Sequence, residues 1–270
     1  MTSTDLLVSG PPAWPGCALG AWSAAWRAGR CAPDDVTDTL TEFADRHEIT
    51  DPQGFLGDLR ADDARLNLLA LLRRATSFEV RLPTAGDPQG LPPDPATTAA
   101  LEAGEVLLLH NLDRVVGLTP TRTSDGVCRW SAHRYAVDVP WRQPRSLGEV
   151  EYELREAIRD TASIIGGLGS TGARTSPTEL RAALARLTFR HQVALPPHDD
   201  VRATRVIDSA AQVEAIVALT GAHAPTFGVV AAHIDHGDAR LRRLAALARS
   251  ARAAAVNTVI GEFSGPSRLG

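Results

Sequence analysis

The sequence predicts an α+β fold: N-terminal helices with a small antiparallel β-meander, followed by a C-terminal α-helical bundle. Three observations predict it. Between Glu105 and Tyr135, short apolar runs and turn residues alternate in the order of a meander, with Ser124-Asp125-Gly126 as a hairpin turn. From Ser146 onward the apolar spacing is helical only. Before Glu105, Leu19, Trp22 and Trp26, then Val36, Leu40, Phe43 and His47, recur at steps of three and four, as on helix faces.

Taken in order, Gly10 to Gly16 is a breaker cluster, so what precedes it reads as an arm or a lone edge strand. The helix after it carries Trp22 and Trp26 on one face, which predicts core. Pro33-Asp34-Asp35 opens a second helix with acids where the dipole favours them, and His47 is expected near its C-terminus. Ala61-Asp62-Asp63 opens a third through Leu66, Leu68, Leu69, Leu71 and Leu72. Ser77 to Leu82 alternates as a half-buried strand. Pro83 to Thr98 is a breaker-rich connection of the kind that serves as a contact loop.

Past the meander, the strand pattern stops near Pro144. That places an α+β domain over residues 1–144 and a helical domain with a disordered C-terminal tail over 145–270. Leu147, Val150, Leu154, Ala157 or Ile158, Thr161, Ile164 and Leu168 keep one helical stripe through five turns. Leu180, Leu184 and Leu187 mark the next helix, and Val206, Ala210, Val213, Val217 and Thr220 another. The last is expected from about Asp238 to Ile260.

Composition excludes some chemistry. All 28 basic residues counted with lysine are arginine, so a Schiff-base or phosphate-cradling lysine is ruled out. A net charge of -4 opposes a protein coated for nucleic acid, and through Ala75 eleven acids face seven arginines, the wrong sign for a winged-helix groove reader. Cys17, Cys31 and Cys128 lack the close pairing of a zinc knuckle or redox dithiol. No stretch is apolar enough to span a membrane, and the first residues lack the pattern of a signal peptide, so a cytoplasmic location is expected. Gly167 to Gly172 has the separation of the P-loop glycines, but Ala173 stands where the lysine belongs and the loop follows a helix.

Three constellations remain. His233, Asp235 and His236 are metal-ligand types packed closely enough to supply several ligands, which defines a metal-dependent enzyme as the alternative reading. His110, Ser131, His133 and Tyr135 share the polar side of the meander, the minimum for acid–base work if strand pairing joins a hydroxyl to an imidazole. Arg240, Arg242, Arg243 and Arg249 present guanidinium groups on the last helix, suited to an acidic protein partner or, as a third reading, a nucleic-acid backbone. No catalytic signature and no cofactor motif accompanies them. The preferred expectation is therefore a protein-interaction or regulatory protein whose C-terminal helices mediate self-association or partner binding.

Overall fold

A computed structural model describes residues 11–57, 64–110, 113–143, 145–168, 177–223 and 231–264; for 160–168, 177, 221–223 and 231–238 only the backbone is described. The described fold is α+β, as the patterning predicts, with eight helices and one five-stranded sheet among these residues. The chain divides into two compact units, one of residues 14–144 with 193–200 and the chain from 256 onward, the other of 145–192 and 201–255 with the first thirteen residues.

In the sheet unit, α1 (Pro15–Arg27) and α2 (Pro33–Thr41) precede β1 (Arg46–Thr50), and α3 (Ala64–Arg74) precedes β2 (Ser77–Arg81). After α4 (Pro95–Ala103) come β3 (Val106–His110), β4 (Val116–Arg122) and β5 (Val127–Arg134). The predicted meander is present as the antiparallel run β3-β4-β5. It sits inside a larger mixed sheet of order β1-β5-β4-β3-β2, because β2 adds antiparallel to β3 and β1 adds parallel to β5.

Strand β1 corrects the sequence reading. The second helix stops at Thr41, and His47 lies in the strand, paired with Cys128 of β5. Its Nδ1 accepts from the Trp130 indole at 3.1 Å, which leaves Nε2 to carry the proton toward the Leu40 carbonyl 2.9 Å away. A long-range pairing thus overrode a local helical stripe.

Helix α1 also presents an unexpected face. Ala18, Ala21, Ala24 and Ala25 are buried, while Trp22 and Trp26 are half-buried at the margin, and the Trp22 indole donates to the Ala194 carbonyl at 3.0 Å. Small residues let the helix lie close on the sheet: a Cβ on Gly20 would come within 2.9 Å of Leu107 and 3.1 Å of Val80. The buried Glu105 carboxylate accepts from the Gly16 amide at 2.9 Å, supplying an acid at the helix N-terminus from a distant part of the chain.

On the opposite sheet face, α4 covers Val106, Leu108 and Tyr135 through Ala96 and Ala100, with Leu91 and Val139 completing the cluster. Asp94 caps α4 by accepting from the Ala96 amide at 2.8 Å, and Gly104 ends it in the left-handed conformation. The 83–94 connection is packed: Leu91 and Gln89 are buried, and the Gln89 side chain accepts from the Leu82 amide at 2.9 Å.

The helical unit holds α5 (Leu147–Leu168), α6 (Pro177–His191), α7 (Val201–His223) and α8 (Ala231–Ser264) as far as Ala255. Leu147, Val150 and Leu154 are buried as the stripe requires. Helix α8 starts seven residues earlier than expected and passes through Gly237, since one interior glycine costs only about 1 kcal/mol. The glycine-rich loop lies at residues 169–176, outside the described residues, as does the end of the tail beyond Ser264.

Candidate functional site

Alternation along β2 places Glu79 and Arg81 on one face, and the sequence reading gives that face to solvent. Both are instead 2% exposed. Arg81 Nε donates to Glu79 Oε1 at 2.8 Å, its terminal nitrogens reach the carbonyls of Pro140 at 2.5 Å and Gln89 at 3.4 Å, and His110 Nε2 lies 3.3 Å from Glu79 Oε2. His110 is 9% exposed, and the half-exposed Trp141 ring meets it edge-on with centroids 4.9 Å apart. Burial alone would raise the Glu79 carboxyl; His110 and Arg81 outweigh it, and the group stays below its ordinary value. The Glu79 carboxylate and the Arg81 guanidinium therefore neutralise each other beneath the 83–94 and 136–143 connections, with the His110 ring beside them.

The rest of the polar sheet face is not assembled for nucleophilic work. Ser131 Oγ bonds Thr50 Oγ1 at 3.0 Å, across the β1–β5 pair, instead of a histidine. His133 stands opposite Gly117 of β4, while His110 lies on β3 opposite Ser77, with β4 between the two histidines. Burial lowers the His133 ring from its ordinary value, partly offset by the Asp51 and Asp94 carboxylates. Tyr135 is fully buried and its hydroxyl is pushed up to about 12, chiefly by that burial. Strand pairing thus separates the members of this constellation.

The helical unit contains a second buried ion cluster. Arg252 is buried and bonds the Glu214 carboxylate of α7, and it donates to the His191 carbonyl at 3.0 Å. His191 Nδ1 lies 3.2 Å from the same Glu214 oxygen. Burial would raise the Glu214 carboxyl, yet Arg252 and then His191 hold it below its usual range. Burial thus sets Arg252 apart from the other arginines of the last helix. Arg240, Arg242 and Arg243 are exposed on α8, and Arg249 is half-buried.

His233, Asp235 and His236 fall in the first turns of α8, where the side chains lie outside the described residues. Among the described residues, no group of three or more histidine, cysteine, aspartate or glutamate side chains is placed to hold a metal ion. Glu79, Arg81 and Glu214 were missed because periodicity marks a face as polar but not as covered. The available signal was the Glu-x-Arg pair followed by a proline-rich connection long enough to fold back over it.

Two family models match the chain, the Rv1486c-like protein N-terminal domain over residues 16–147 and the Rv1486c-like protein C-terminal domain over 148–253. The uncharacterized protein Rv1486c of Mycobacterium tuberculosis is 31% identical, with 91% of this chain and 97% of that protein covered. The uncharacterized protein ML1804 of Mycobacterium leprae is 29% identical over the same shares, and MAV321 of Mycobacterium avium 26%. No solved structure matches.

Proposed function

On the premise that the chain belongs to the Rv1486c-like protein family, we propose that it acts in the cytoplasm by binding protein, either a second copy of itself or a partner, through its helical unit. One observation carries this reading. Among the described residues the three most exposed large apolar side chains, Phe189 at 73%, Val201 at 70% and Tyr152 at 64%, all belong to α5, α6 and α7. Exposed aromatic groups are enriched where proteins bind proteins, since they bury much apolar area for little lost rotamer freedom.

The cover on the unit's apolar residues also fades in one direction. The N-terminal turns of α5 and α7 adjoin, with Arg202 Nε 3.8 Å from Glu151 Oε2. Away from those turns, α5 passes from buried Leu154 to half-buried Ala157 and Ile158, and α7 from buried Ala215 to half-buried Ile216, Val217 and Leu219. Arg240, Arg242 and Arg243, exposed on α8, suit an acidic partner. The location rests on cysteine use: Cys17 and Cys128 are buried as small apolar side chains, and burial, reinforced by Glu105, pushes the Cys128 thiol up to about 12, as suits a reducing compartment. Among the described residues no helix is long and apolar enough to cross a membrane.

Sedimentation velocity over a hundredfold concentration range tests the self-association arm. The expected result is a mass that grows with concentration in the parent protein and stays monomeric in Tyr152→Ser/Phe189→Ser with unchanged circular dichroism. Equal growth in both proteins would remove these side chains from the interface.

A further inference from the structure

The Glu79–Arg81–His110 cluster lies beneath two connections, 83–94, whose Gln89 carbonyl accepts from Arg81, and the thinner 136–143. Residues 136–143 connect β5 to α5 without regular structure, and seven of these eight are exposed, Val139 alone being buried. At its first residue the Ala136 amide donates to the Asp94 carboxylate at 2.9 Å and the Ala136 carbonyl accepts from Arg114 at 2.7 Å; beyond it three contacts hold the segment on the sheet face, Val139 in the cluster under α4, the Pro140 carbonyl on Arg81, and the Trp141 ring against His110. Underneath lie three ionisable groups, which gain hydration when uncovered, whereas exposing an apolar surface to water would cost free energy. Ala136, bonded twice beside the strand end, anchors the segment, and opening beyond it is opposed by Val139, one carbonyl bond and one edge-on ring contact.

We propose that residues 136–143 form a strap that opens as a local unit while the sheet stays folded, uncovering Arg81, Glu79 and His110. In the open state the Arg81 donor now spent on the Pro140 carbonyl is free, and the cluster becomes a polar recess on the sheet. Local opening of this kind draws on the segments with the fewest buried apolar contacts. The charged cluster beneath the strap adds a second reason for it to begin there.

Arg252 supplies an internal control, since it is as deeply buried as Arg81 but is held among helices. Treating the full-length chain with phenylglyoxal under native conditions and reading each arginine by peptide mass spectrometry gives two rates. The expected result is Arg81 labelled at least tenfold faster than Arg252, with Trp141→Ala and Val139→Ala each raising the Arg81 rate threefold or more and leaving Arg252 unchanged. Equal rates at the two arginines, or variants that move both together, would mean that Arg81 is reached only by global unfolding, and would overturn the strap.

Discussion

Replacing Glu79 by Ala leaves the Arg81 guanidinium buried beside an empty position, and breaking a buried pair in this way costs about 3–5 kcal/mol. Urea unfolding should show that loss as a lower midpoint, and Glu214→Ala should lose a similar amount through Arg252. The same groups set the response to acid. Glu79 and Glu214 both lie below the ordinary glutamate value of 4.5 in the folded protein, so their contribution is complete above that value and lost as pH falls through the folded values. The His133 ring, lowered from 6.5, adds a smaller loss beginning as pH falls below that. Urea midpoints measured from pH 7 to pH 3 should therefore decline slightly first and then steeply, and Glu79→Gln should flatten the steep part. At this scale the sequence was least legible: residue type announced charge, while burial was decided by connections folding over the sheet from residues 83–94 and 136–143.

Edges and close approaches decide the elements. β2 is an edge strand, and its outward amide and carbonyl at Val80 are taken by the Asn257 side chain, at 2.7 Å and 2.8 Å. An edge left open is a template for pairing with another chain, so this one amide both stabilises the strand and blocks aggregation. Asn257→Leu should cost about 1–3 kcal/mol for the two unpaired groups and raise light scattering on mild heating. Gly117→Ala should also destabilise, because its Cβ would sit 2.9 Å from Val106 and 3.2 Å from Tyr135. The meander, β2 and the helices after Ser146 were readable because their periodicity and turns agree with their tertiary setting. β1 was not: its five residues form a strand only through a partner some 80 positions later, and no local pattern reports that pairing.

For the whole molecule, family models cover residues 16–147 and 148–253 in succession, and each compact unit contains its own buried glutamate–arginine cluster. Composition and charge were legible at this scale, and they pointed away from a nucleic-acid coat. What the helical unit touches was not, because solvent and a partner leave the same mark on a helical stripe. The metal reading of His233, Asp235 and His236 has its own check: protein purified without a histidine tag should carry stoichiometric zinc, iron or manganese that His233→Ala/His236→Ala removes if those residues are ligands. The binding reading is tested most directly by quantitative capture from the native cell, with the parent protein and a folded Tyr152→Asp/Phe189→Asp variant as baits, scoring an untagged second copy along with every other protein. The predicted result is a defined set retained by the parent and reduced at least tenfold by the variant. Retention of the same set by both baits, or of nothing specific by either, would contradict a function exercised through this surface.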